Sequence, residues 1–281
     1  MALDQITFHQ RPSPRDLAHH LWVWGGACLP EFIKPADLEK MTREMATAFA
    51  LEPRLNSKRD CANGMAAIVP REVLENDKPA FHMLASFLND AYLMELGKIF
   101  FDLPDTQAHQ INNHLELEEN TQTGPSVGSR PHVDRVPALK MILYLTDVTK
   151  DSGATFFYPG SQIEMRHLIR QQLRQDPNPL HLRNFVPQAN LPPPPYIEAP
   201  AGTLIIVDTF AIHGGGELKE HGITRKTIRA ITWARPLLGA YFEDRTPEAA
   251  ELRMRLPTLD LYHPYSVSDA AVPDDLMYRE A

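Results

Sequence analysis

The chain has few of the features that mark a secreted or membrane protein. It contains only two cysteines, Cys28 and Cys61, and neither belongs to a CxxC pair, so neither a disulfide scaffold nor a cysteine-rich zinc module is indicated. The N-terminus lacks the basic region and apolar run of a secretory signal, and no apolar stretch approaches the roughly 20 residues that span a bilayer. These absences predict a reducing, cytoplasmic setting and no membrane partner.

Excess positive charge is also missing. Lys and Arg number 28 against 36 Asp and Glu, which gives a net charge of −8 and an isoelectric point of about 5.8. Because nucleic-acid binding depends on clustered Lys and Arg, no nucleic-acid partner is expected. With 281 residues, of which 43% are hydrophobic, the chain can bury a full core as a single domain. Its composition leaves the oligomeric state unknown.

Hydrophobic periodicity divides the chain into three parts. Residues 1–104 are expected to be mainly helical, since apolar positions recur at helical spacing after Pro35 and again from about Pro79 to Glu95. From about Gln110 the period shifts toward two, and short strand-like runs follow as far as residue 235: 110–118, 138–145, 154–158, 197–199, 203–208 and 224–234. This pattern predicts a mainly β fold with flanking helices, whose core is a double-stranded β-helix, the cupin-like jelly roll. Residues 236–281 form a C-terminal extension.

Residues 161–195 interrupt the series of strands. They begin with a helix-like piece, Gln162 to Gln175, and end in a proline run. The segment is either a structural addition or a lid over a binding site. Arg166, Arg170 and Arg174 recur every four residues, so on a helix they form a basic stripe. That stripe is either a solvated face or, on a lid, a contact for an anionic group of a substrate.

The segment around residue 132 carries the clearest chemical signal. His132 and Asp134 stand two residues apart, so in an extended strand their side chains point to the same face. His213 lies 79 residues beyond the aspartate, ends another apolar run and precedes three glycines. Two imidazoles and one carboxylate form the facial set that holds a non-haem Fe(II) and leaves positions open for small ligands. We therefore predict a metal site at His132, Asp134 and His213.

With these ligands in place, the chain resembles the phytanoyl-CoA dioxygenase family of Fe(II)/2-oxoglutarate oxygenases. The resemblance rests on His132-Val133-Asp134, on the strand and turn 144–155, on Tyr158-Pro159-Gly160-Ser161, and on the distal histidine strand up to Gly215. It covers roughly residues 105–235. Gln162 stands where the family pattern has a histidine that is not a metal ligand. The resemblance implies Fe(II), 2-oxoglutarate as cosubstrate and O2, and it argues against a halogenase because Asp134 is present.

The resemblance also implies an arginine for the distal carboxylate of 2-oxoglutarate, since a guanidinium pairs two oxygens at once and stays charged when buried. Arg225 and Arg229 lie on one face of the last strand, and Arg225 fits the family spacing better. Asn113 and Thr155 are candidates for secondary cosubstrate contacts. Lys140 stands alone in an apolar strand, so it either faces the cosubstrate pocket or extends to solvent.

The expected function is therefore oxidation, in first place hydroxylation, of a C–H bond in a small molecule, with 2-oxoglutarate converted to succinate and CO2. One alternative is a peptidyl or protein hydroxylase of the same mechanism. A second is a cupin-like protein that binds metal without turnover. The sequence does not identify the substrate, because that depends on the shape of the pocket.

Overall fold

The computed structural model describes residues 3–50, 57–61, 64–101, 114–124, 127–134, 138–175, 186 and 191–233. Within them, nine strands form two antiparallel sheets that enclose a common interior. The strands are β1 (Gly26–Leu29), β2 (Ser57–Cys61), β3 (Gly64–Pro70), β4 (His114–Asn120), β5 (Ala138–Tyr144), β6 (Thr155–Phe157), β7 (Leu204–Asp208), β8 (His213–Gly215) and β9 (Arg225–Trp233).

The large sheet has seven strands in the order β1-β7-β5-β9-β4-β3-β2, and the small sheet pairs β6 with β8. The order of strands in the sheet differs from their order along the chain, since β5 lies between β7 and β9. Both of these pairs are antiparallel. Two facing antiparallel sheets connected in this way form a jelly roll. The predicted fold class is confirmed.

Six helices are described, and all but one precede the jelly-roll core in the chain. They are α1 (Pro14–Trp24), α2 (Pro35–Ala50), α3 (Arg71–Asn76), α4 (His82–Leu88), α5 (Ala91–Phe101) and α6 (Ser161–Gln175). Short 3-10 turns occupy Leu3–Gln5 and Val127–Ser129. None of the helices in the described part of the chain has the length and apolar character needed to cross a bilayer.

In the large sheet, β7 is buried on both faces and β5 almost entirely so. The outer face of this sheet packs under the N-terminal helices, and Leu115 of β4, Met141 of β5 and Ile206 of β7 belong to that core. Its inner face, toward the small sheet, is apolar near Ile142 and Ile205. Because side chains alternate along each strand, the residues between the outer apolar positions point inward, and on β4 and β9 these are mostly polar or charged. The interior of the barrel therefore has one apolar end and one polar end.

Two elements of the N-terminal part differ from the periodicity prediction. The helix expected from about 79 to 95 is divided, since α4 ends at Leu88 and α5 begins at Ala91. Asp90 causes the restart, because its side chain accepts the backbone N–H of Leu93 in the manner of an N-cap. Three strands, β1 to β3, also come from this mainly helical part and widen the large sheet.

The start of the 161–195 segment is part of the core. α6 begins at Ser161, which is 1% exposed, and Arg166 is only 3% exposed. The Arg166 guanidinium lies 2.5 Å from the carboxylate of Asp208, at the end of β7. The interpretation of the arginine stripe as a solvated face is therefore wrong at Arg166, where the charge is buried and paired. The side chains of Arg170 and Arg174 lie outside the described residues, so the lid hypothesis stays a prediction.

Candidate metal centre

His132, Asp134 and His213 come together at the mouth of the jelly roll. One ligand atom from each lies within 4.8 Å of the other two. The Nε2 atoms of both histidines are 3.8 Å from the same oxygen of Asp134, and the centroids of the two imidazole rings are 4.5 Å apart. The predicted ligands thus meet at one point although 79 residues of chain separate Asp134 from His213.

Backbone pairing holds the two halves of this cluster in place. His132 and His213 form an isolated antiparallel bridge in which each N–H donates to the other's carbonyl oxygen, at 2.9 and 2.8 Å. Two residues on, the N–H of Asp134 donates to the carbonyl of Thr209 at 2.9 Å. The positions of all three side chains are therefore set by hydrogen bonds of the sheet edge.

Both histidines direct Nδ1 toward a backbone carbonyl and Nε2 toward Asp134. Nδ1 of His132 lies 2.7 Å from the carbonyl of Arg130, and Nδ1 of His213 lies 2.8 Å from that of Ala211. A carbonyl oxygen only accepts, so each Nδ1 carries the hydrogen and each Nε2 keeps its lone pair. Backbone partners of this kind fix the tautomer of metal-binding histidines.

The protonation states match a divalent metal. Burial lowers the pKa of His132 and, more strongly, that of His213, and the nearby Lys140 ammonium lowers both further. Burial alone would raise the pKa of Asp134, but Lys140 and the two histidines bring it down to about 2. Two neutral imidazoles and one carboxylate are the donor set of a non-haem iron site, so the residues present fit such a metal.

Lys140 points toward this cluster. Its Nζ lies 2.9 and 3.1 Å from the two carboxylate oxygens of Asp134 and 3.1 Å from Nε2 of His213. Of the two orientations left open by the sequence, the structure has the one toward the pocket. The signal was present, since a lone lysine in an apolar strand needs a partner if it faces inward, but the sequence did not reveal which residues it would meet.

Arg225 and Arg229 extend from β9 into the polar end of the interior, in different surroundings. Arg229 lies 2.8 Å from Glu116 and 2.6 Å from Glu118, two carboxylates of the adjacent β4. Arg225 lies 4.0 Å from Glu118 and also donates to the carbonyl of Gly153. The charge of Arg229 is therefore compensated more closely than that of Arg225.

Gly153 and Asn120 complete the described surroundings of Arg225. A Cβ at Gly153, where φ is +89°, would stand 3.0 Å from Nη1 of Arg225, so a glycine permits the close approach. With its amide oriented to satisfy hydrogen bonding, Asn120 accepts from Arg225 at 2.6 and 3.2 Å. Both contacts are neutral, so they orient the guanidinium without cancelling its charge.

Sequence reasoning did not single out Glu116 and Glu118. Burial would raise the pKa of Glu116, but Arg229, His114 and Lys140 together lower it to about 2. The signal available in the sequence was the alternation of Glu with Leu in β4, which indicates one charged face. That this face lies inside the barrel depends on pairing with β9, more than 100 residues away.

Of the two candidate secondary contacts, the structure describes only Thr155, and the cosubstrate role of both stays a prediction. Thr155 is 6% exposed on β6, opposite Gly215, and its N–H donates to the Tyr144 hydroxyl at 2.8 Å. This contact ties the small sheet to the large one and uses the backbone of Thr155. Asn113 lies outside the described residues, so its role stays a prediction.

Comparison with known proteins points in one direction. The model of the family described as Phytanoyl-CoA dioxygenase (PhyH) matches residues 24–226, which extends well upstream of the core strands. No curated protein matches the sequence.

Among solved structures, the epimerase SnoN in complex with Fe3+, alpha ketoglutarate and nogalamycin RO is 15% identical. The alignment covers 78% of this chain and 83% of SnoN, with a TM-score of 0.53. EctD from S. alaskensis with bound Fe is also 15% identical, with 84% of this chain and 83% of EctD covered and a TM-score of 0.52. At these identities the likeness establishes a shared fold.

Proposed function

Since the chain belongs to the phytanoyl-CoA dioxygenase family, a family of non-haem iron and 2-oxoglutarate-dependent enzymes, we propose that it hydroxylates a C–H bond of a small molecule. One observation carries the proposal. Two neutral imidazoles and one carboxylate converge at the mouth of a barrel whose interior bears two arginines from β9. That combination suits a metal and a dicarboxylate together.

His132, Asp134 and His213 would hold the Fe(II). When bound, the iron supplies coordination sites for 2-oxoglutarate and O2 and the oxidising power for the reaction. The overall conversion is balanced: R–H, 2-oxoglutarate and O2 give R–OH, succinate and CO2. The chain itself contributes binding, orientation and exclusion of water, and the burial of His213, which is 3% exposed, favours that exclusion.

Arg225 is the residue that we assign to the distal carboxylate of 2-oxoglutarate. The distal end is the one that does not chelate, so it points away from the metal. Arg229 is near enough to the metal ligands to lower the pKa of His132, and it already faces two carboxylates. Arg225 lies four residues earlier, at the start of β9, and is thus farther from Ile231, which pairs with Lys140 beside the metal ligands. The closest described partners of Arg225 are a carbonyl and an amide.

The test is an oxygen-uptake assay with succinate measured in parallel, run on a panel of small metabolites with Fe(II) and 2-oxoglutarate. We expect slow succinate formation without a substrate and a marked stimulation by the correct substrate class, with one succinate formed per O2 consumed. Asp134→Ala should abolish both rates. The matched control is Asp37→Ala, because Asp37 is an exposed carboxylate on α2 that pairs with Lys40 of the same helix.

Other outcomes distinguish the alternatives. Metal binding without succinate formation under any condition would contradict the enzyme proposal and favour a cupin-like metal-binding protein. Stimulation by peptides or by a protein lysate, with no small molecule active, would contradict the small-molecule part and favour the peptidyl hydroxylase.

A further inference from the structure

Lys140 is a cation in direct contact with two of the metal ligands. It stands on β5 opposite Val207 on one side and Ile231 on the other, both buried and apolar. Its side chain is only 12% exposed. The ammonium therefore lies in the pocket, against Asp134 and His213.

The contact with His213 uses an atom that a metal would also need. An ammonium has three N–H donors and no acceptor. Nδ1 of His213 already donates to the Ala211 carbonyl, so the 3.1 Å contact between Nζ and Nε2 places a lysine N–H on the Nε2 lone pair. One lone pair serves either a hydrogen bond or a metal bond, and the two positive charges also repel one another.

We propose that Lys140 competes with the divalent metal for Asp134 and His213, and that the carboxylate of 2-oxoglutarate receives the ammonium that the metal displaces. Lys140 thereby couples metal binding to cosubstrate binding. The inference rests on the proposed function and extends it, because it assigns to Lys140 a role that the metal ligands and Arg225 do not fill.

The charges around the pocket support the coupling. Three described cations, Lys140, Arg225 and Arg229, face three described carboxylates, Asp134, Glu116 and Glu118. A divalent metal adds two positive charges to this balanced set, and 2-oxoglutarate adds two negative charges. Glu116 is within electrostatic reach of Lys140 but already pairs with Arg229. The balance is therefore lost when either ligand binds alone and restored when both bind.

The experiment is a calorimetric titration with Mn(II), a redox-stable substitute for Fe(II), at one fixed pH, with and without saturating 2-oxoglutarate. The proteins are the wild type, Lys140→Met and Lys140→Arg. Lys140→Met keeps the length of the side chain and removes its charge, whereas Lys140→Arg keeps a cation. Lys226→Met is the matched control, since Lys226 is a partly buried lysine on β9 that pairs with Glu119 at 3.2 Å, away from the metal ligands.

We expect Lys140→Met to bind Mn(II) at least tenfold more tightly than the wild type when 2-oxoglutarate is absent. The gain in Mn(II) affinity caused by 2-oxoglutarate should be smaller in Lys140→Met than in the wild type. Lys140→Arg and Lys226→Met should both resemble the wild type. A purely structural lysine would give the opposite sign, because its loss would loosen the site and weaken metal binding.

Equal or weaker Mn(II) binding by Lys140→Met would overturn the competition, and an unchanged effect of 2-oxoglutarate would overturn the coupling. Thermal midpoints measured on the same samples identify a variant that folds poorly, and Lys140→Gln then replaces Lys140→Met. If the wild type itself bound no Mn(II), the proposed function would fail first, and the two failures are thus distinguishable.

Discussion

Arg225 and Arg229 have the same chemistry and face the same pocket, yet their partners give them different tasks. Arg229 pairs closely with both Glu116 and Glu118, which are both largely buried. Two such carboxylates without a cation would be strongly unfavourable, so Arg229 is part of the framework. Arg225 is held by the Gly153 carbonyl and the Asn120 amide and lies 4.0 Å from Glu118, so it is the less closely paired of the two arginines and the one that we assign to a ligand.

Substitution of each arginine by methionine separates these tasks. Arg225→Met should raise the KM for 2-oxoglutarate at least tenfold, since each charged hydrogen bond contributes on the order of 1.5–3 kcal/mol, and should leave Mn(II) affinity nearly unchanged. Arg229→Met should instead lower the free energy of unfolding by roughly 3–5 kcal/mol, the usual cost of removing one partner of a buried ion pair. Kinetics and urea denaturation measure the two effects. A larger rise in KM at Arg229→Met, in a folded protein, would assign the cosubstrate role to Arg229.

Residues that depend on local spacing were predictable, and residues that depend on strand pairing were not. The two-residue spacing of His132 and Asp134 indicates a shared face without any knowledge of the fold. Glu118 gives no such signal, because it lies inward only through pairing of β4 with β9. Lys140 falls between these cases, since its isolation in an apolar strand is visible in the sequence and its partners are not.

At the scale of elements, α6 connects the metal centre to the rest of the core. At its start, the Gln162 side-chain amide donates to the carbonyls of Trp22 and Val23, at the end of α1. One turn later, Arg166 pairs with Asp208, whose other carboxylate oxygen accepts the N–H of Phe210. The glutamine that replaces the family's histidine therefore has a structural role here, as a cap for α1.

The Arg166–Asp208 pair also supports the metal ligands. Asp208 begins the turn in which the Thr209 carbonyl accepts from Asp134 and the Ala211 carbonyl accepts from Nδ1 of His213. Arg166→Met should therefore lower the free energy of unfolding by about 3–5 kcal/mol, because Asp208 is fully buried, and it should also weaken Mn(II) binding.

The matched control is Arg43→Met on α2, where the pair with Glu39 is mostly exposed and should contribute less than about 1 kcal/mol. The double variant Arg166→Met/Asp208→Asn removes the uncompensated charge and should recover part of the stability. Urea denaturation compares the three variants. Equal stabilities for Arg166→Met and Arg43→Met would show that the buried pair does not support the turn.

Element boundaries followed the sequence where one physical signal dominated. The proline at the first turn and the apolar stripe of α2 correctly predict a helix from Pro35. The prediction of one continuous helix from about 79 to 95 was wrong. The apolar periodicity is the same before and after Asn89 and Asp90, but the side chain of Asp90 caps a new helix at this point.

For the whole molecule, the jelly roll was predictable from its many short strands separated by turns, whereas the width of its large sheet was not. β1 is buried along its entire length, so it has no alternation to identify it. Its pairing with β7 adds an edge strand from the N-terminal part to the core. The expected single-domain organisation, with a C-terminal extension over 236–281, stays a prediction because that segment lies outside the described residues.

The central feature of the proposed function is one metal bound by three residues that the fold brings together. Anaerobic titration of the protein with Fe(II), followed by calorimetry, tests this most directly. The wild type should bind one Fe(II) per chain. His132→Ala, Asp134→Ala and His213→Ala should each remain folded and lose more affinity than the roughly 10- to 100-fold that follows from loss of an outer partner of a metal ligand. Binding of one Fe(II) with wild-type affinity by all three variants would contradict the account.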